Sequence, residues 1–125
     1  MKRTVRACEN QVMRYGIVTW IILIVVLSLS PLKVKALLGT QGLLHNWGHL
    51  SVYLVTAALI CWNAEGLSLR LFRCLGVILF AVALEILEAV LYRVPFEWKD
   101  VFLDLAGVVL GVATVTIVRP KVPRL

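Results

Sequence analysis

Four stretches of this chain stay apolar long enough to cross a bilayer, and polar or turn-forming residues separate them. The first, GIVTWIILIVVLSLSP from Gly16 to Pro31, carries no charge. The others run from about Trp47 to Asn63, Leu69 to Tyr92 and Asp100 to Val118. A spanning helix needs roughly 17 to 25 residues, so the pattern predicts helices over about 16–32, 47–63, 69–92 and 100–118. The breaks between them are of three kinds. A loop from Leu32 to Gly48 holds Lys33, Lys35, Gly39, Gly42 and His45, and Trp47 marks an interface where aromatic rings settle. Asn63-Ala64-Glu65-Gly66 is a hinge followed by Arg70 and Arg73, and RVPFEWK is a turn built on Pro95 and Trp98. Pro120 and Pro123 stop the last helix.

Composition turns this pattern into a fold class. Of 125 residues, 61% are hydrophobic and the mean hydropathy is +0.92, against about 45 to 50% apolar content in soluble domains. The expected architecture is all-α: a polytopic membrane protein, one four-helix transmembrane bundle over 1–125, with no room for a soluble domain. Lys and Arg set its orientation. Nine flank one side (Lys2, Arg3, Arg6, Arg14, Arg70, Arg73, Arg119, Lys121, Arg124) and four the other (Lys33, Lys35, Arg93, Lys99), which predicts both termini in the cytoplasm. The same placement explains the net charge of +6 and leaves no basic domain for nucleic acid. The first segment reads as an uncleaved anchor, since its apolar run exceeds the about 7 to 15 residues of a signal core; cleavage after Val34-Lys35-Ala36 is the alternative. Cys8, Cys61 and Cys74 show no metal-finger or CxxC spacing and are expected as free thiols.

Charge inside the apolar runs is expensive, and this chain concentrates it. Five of its seven acids (Glu85, Glu88, Glu97, Asp100, Asp104) fall between Ala83 and Gly111. On the expected topology, His45 and His49, Glu85 and Glu88, and Asp100 and Asp104 all reach the outer level of the bundle. Glu88 and Glu85 lie ~6 Å and ~10 Å below the outer boundary, at 1.5 Å rise per residue. Each pair is spaced i,i+4 or i,i+3 and shares one helix face, predicting an outward-facing polar pocket. The inner stretches Gly76 to Leu84 and Gly107 to Val118 carry no charge, which argues against a water-filled path. Gly107 and Gly111 form a GxxxG frame that permits close helix approach, expected against the third segment, with a homodimer as the other reading.

His49, Glu85, Arg93, Asp100, Gly107 and Gly111 together resemble, in order and helix position, the pattern of the VanZ-like family of small bacterial membrane proteins. The resemblance covers about Asn46 to Thr114. Four positions depart from it: His45 and Asn46 replace an acidic residue and a Lys, Glu88 replaces a Gln, and Asp104 replaces an Asn, so this pocket is more acidic. The resemblance implies a multi-pass protein of the bacterial inner membrane with a cell-envelope role, in a family named for a member linked to glycopeptide (teicoplanin-type) antibiotic resistance. It implies no particular reaction.

Four chemistries fit these residues. The acids form a structural network satisfied by Arg93, His49 and backbone groups; or His49, Glu85, Glu88, Arg93, Asp100 and Asp104 bind an envelope lipid or lipid-tailed ligand; or Glu85, Asp100 and His49 perform acid/base catalysis on such a lipid; or His45, His49 and Asp104 hold a divalent metal. Neither a phosphate loop nor a Ser or Cys nucleophile at motif spacing to a His is present, and no cofactor is implied. The expectation is a lipid-binding envelope protein, with a small membrane enzyme as the alternative.

Overall fold

Pro31, three glycines at positive φ (Gly39, Gly42 and Gly66) and the loop around Pro95 cut the chain into five helices. A computed structural model describes residues 2–39 and 42–119, with side chains from Cys8 onward. The helices are α1 (Lys2–Ser28), α2 (Leu32–Leu37), α3 (Leu43–Cys61), α4 (Leu67–Tyr92) and α5 (Trp98–Val118), and no strand occurs among the described residues. Lys121, Arg124 and the two C-terminal prolines lie outside the described residues.

Several boundaries differ from the sequence expectation, among them the end of α1 at Ser28 rather than near residue 32, ahead of Pro31. α1 begins at Lys2 rather than near Gly16, because residues 2–15 contain no Gly or Pro and the Arg, Lys, Met and Gln among them favour helix despite their polarity. The expected loop after Pro31 contains α2. Pro31 occupies its N-cap at φ −54°, and its carbonyl accepts the amides of Val34 (2.8 Å) and Lys35 (3.1 Å). α3 likewise starts at Leu43, four residues ahead of Trp47, behind Gly42 at φ +71°.

Among the described residues, three helical stretches are long and apolar enough to cross a membrane: Cys8–Ser28, Leu67–Tyr92 and Trp98–Val118. Their outward faces carry exposed Ile22, Val26, Phe72, Leu79, Val109 and Ile117, an apolar surface suited to acyl chains rather than water. α3 is more polar, with His45, Asn46, His49 and Ser51 in its first half, and it is the most enclosed helix. Its polar groups are answered by α5, alongside which it runs.

α3 and α5 are parallel neighbours, and the glycines set how close they come. A Cβ at Gly107 would sit 2.5 Å from the Leu50 carbonyl oxygen and 3.0 Å from the Leu54 amide nitrogen, and one at Gly111 would overlap the Leu54 carbonyl oxygen. The GxxxG face therefore packs inside the chain. Its partner is the second segment, α3, not the third as expected, and a homodimer through this face would have to displace α3. Tyr53, Ala57, Val77, Ala81 and Val108 make the core between α3, α4 and α5. α1 leans on this unit through Trp20, whose Nε1–H donates to Thr56 Oγ1 at 2.9 Å, and just beyond its end the Leu29 carbonyl accepts the Tyr92 hydroxyl at 2.5 Å.

At the opposite end from the histidines, arginines close the C-terminus of α3. Arg73 donates to the Ile60 carbonyl (2.7 Å), Arg70 to Ala64 (3.2 Å) and Arg119 to Trp62, over whose ring its guanidinium lies at 5.3 Å. These carbonyls have no partner within the helix, and cations suit the negative end of its dipole. The Cys61 and Cys74 sulfurs lie 3.8 Å apart as free thiols.

Candidate functional site

Parallel packing of α3 and α5 at a constant offset of 55 residues places the first two turns of one against the first two turns of the other. His45 Nε2 lies 2.9 Å from Asp100 Oδ2, and His49 Nδ1 lies 2.8 Å from Asp104 Oδ1. A carboxylate only accepts, so in each bond the ring N–H donates. His49 Nε2 is 3.8 Å from Asp100 Oδ2, and the two rings stack edge to face with centroids 4.5 Å apart. Both aspartates are 3% exposed. Their position in the opening turns of α5 suits them to the positive end of that helix. Asp100 Oδ1 is buried without a hydrogen-bond partner among the described residues.

α4 brings two more carboxylates. Glu85 is buried and accepts the backbone N–H of Glu97, the N-cap residue of α5, at 3.4 Å, and its charge interacts with Asp100, Glu88 and His49. Glu88, one turn later, pairs with Lys35 of α2. Lys35 was not anticipated as a site residue. The signal for it was Pro31 immediately before the helix-forming LKVKAL, which reads as a helix start.

Arg93 does not close the pocket mouth as expected. It caps the C-terminus of α4 in the left-handed region at φ 53°, is exposed, and forms no ion pair with any described acid. That conformation ends the helix and redirects the chain toward Pro95, and Lys35 supplies the cation instead.

The polar groups meet in a cavity of about 170 Å³. Its polar end is formed by Lys35, His45, His49, Glu85, Glu88 and Asp104. Its apolar wall comes from Ile24 and Leu27 of α1, Leu38, Val52 of α3, and Ala81 and Leu84 of α4. Gly48 also lines it, and a side chain there would meet no atom within 4 Å of its Cβ. The structure thus gathers His45, His49, Glu85, Glu88, Asp100 and Asp104 and leaves Arg93 outside.

For metal binding the residue set changes. His45, His49 and Asp100 offer one ligand atom each within 4.8 Å of one another. Asp104, expected as the third ligand, instead engages His49 Nδ1. No protein family, curated protein or solved structure matches this chain.

Proposed function

We propose that this chain is a four-span membrane protein, both termini cytoplasmic, whose outward-facing cavity binds an envelope lipid or other lipid-tailed ligand without converting it. The observation that carries the reading is the cavity itself, with one apolar wall and one polar end. Such a surface suits an amphiphile: an acyl chain lies against Ile24, Leu27 and Val52, and a polar or cationic head group meets the carboxylates. The nine-to-four distribution of Lys and Arg supports the orientation, which opens the cavity to the outside. The VanZ-like resemblance supports an envelope role, with tolerance of teicoplanin-type antibiotics as its physiological readout.

A second reading, a small enzyme acting on such a lipid, is favoured by the His49 and Asp104 bond, because a carboxylate that orients an imidazole is a common device of general-base sites. One experiment separates the two. Purified protein is incubated with labelled envelope lipids, and both bound lipid and product are measured. Retained, unconverted lipid supports binding; product formed by the wild type and not by Glu85→Gln supports the enzyme. Neither retention nor turnover overturns both.

A further inference from the structure

We propose that His45, His49 and Asp100 bind one divalent transition metal of the zinc class, with Asp104 holding His49 in the ligating orientation. The inference goes beyond lipid binding and does not depend on it. Two histidines at i,i+4 share a helix face, a spacing that lets both rings reach one ion, and the third donor comes from the neighbouring helix.

Three independent features point to a cation. Asp100 is 3% exposed, yet its Oδ1 has no hydrogen-bond partner among the described residues, whereas buried polar atoms are satisfied in the great majority of cases. His49 donates from Nδ1 to Asp104, so in the neutral ring Nε2 carries a lone pair, and that lone pair faces Asp100 Oδ2 at 3.8 Å. In that neutral form two acceptors face each other, and a positive ion between them removes the conflict. The arrangement reproduces the carboxylate–histidine–metal relay, in which the second ring nitrogen of a ligand is fixed by an acid. Finally, Glu85, Glu88 and Asp104 line one cavity with Asp100 against its histidines, Lys35 pairs with Glu88, and a dication offsets the remaining negative charge.

Two imidazoles and one carboxylate favour zinc-like ions over magnesium or calcium, which prefer all-oxygen shells. Three protein ligands leave a fourth position, and both histidines line the cavity, so that position would adjoin it. Ligation through His45 Nε2 needs the neutral tautomer protonated on Nδ1, so the proton that Nε2 now donates to Asp100 is exchanged through solvent for one on Nδ1, with no net release.

The test uses the full chain in detergent, its affinity tag removed and its metals stripped by chelator, titrated with Co²⁺ by visible absorption and with Zn²⁺ by metal analysis, without added lipid. The expected result is one equivalent bound. His45→Gln, His49→Gln and Asp100→Asn weaken it by more than ~100-fold, Asp104→Asn by ~10 to 100-fold, and Glu65→Gln, in the hinge before α4, leaves it unchanged. The wild type decides the site's existence whatever the variants do: no bound equivalent overturns the proposal. So does an equivalent that survives both His45→Gln, at a partly exposed ring, and Asp100→Asn in variants that retain wild-type helicity.

Discussion

His49 Nδ1 lies 2.8 Å from Asp104 Oδ1, one helical turn beyond the 2.9 Å pairing of His45 with Asp100, and this repeat fixes α3 and α5 in register. A buried carboxylate deprived of its donor is costly, whereas an apolar pair of similar volume is not. His49→Leu alone is therefore predicted to cost about 3 kcal/mol in metal-free detergent. His49→Leu combined with Asp104→Leu recovers most of that loss. Unfolding measured by denaturant titration checks this, and additive losses would contradict it.

Glycines divide by what surrounds them. Gly107→Ala and Gly111→Ala force α3 and α5 apart and are predicted to lower stability by about 1 to 3 kcal/mol each, as overpacking does. Gly76→Ala, inside α4 with nothing within 4 Å of its Cβ, is predicted to raise stability by about 0.5 to 1 kcal/mol. Thermal unfolding of the three variants side by side is the measurement.

Because Glu88 stands where the resembled pattern has a Gln, that resemblance implies that Glu88→Gln is tolerated. The structure changes that expectation, because the substitution takes away the carboxylate paired with Lys35. Both side chains are less than one-fifth exposed, between the surface and fully buried limits. A double-mutant cycle with Lys35→Met and Glu88→Gln is predicted to return a coupling of ~1 to 3 kcal/mol. A coupling near zero would show that the contact contributes nothing to stability.

The orientation has its own test. Reporter fusions after Phe96 are predicted to be active outside the cytoplasm and those after Glu65 silent, because Lys99 and Lys35 lie at one end and Arg70, Arg73 and Arg119 at the other. The reverse pattern would turn the pocket inward.

The helices were legible where the sequence is most one-sided. Charge-free runs such as Leu75 to Leu84 admit little besides a buried or lipid-facing helix, and the end of α4 at Tyr92 and of α5 at Val118 follow from the polar residues beyond them. The site was legible through spacing: His45 with His49 and Asp100 with Asp104 repeat the same i,i+4 interval, and parallel helices bring equal intervals together. The partner of the glycines could have been read from the same match, since helices paired at 45 and 100 continue in register to Gly107. Arg93 and Lys35 were harder. Local turn geometry decides whether a loop cation reaches a pocket, and hydropathy carries none of that information.

The most direct test of the account is to fill the cavity without disturbing the fold. Gly48→Phe adds a ring to the cavity wall where no atom crowds the new Cβ, and it removes a helix-interior glycine. Wild-type protein and the variant are incubated with radiolabelled lipid extracted from cell envelopes, and lipid retained per folded chain is measured. The account predicts retention by the wild type and at least a tenfold loss in Gly48→Phe, with thermal stability equal or higher. Equal retention by the two proteins would contradict it.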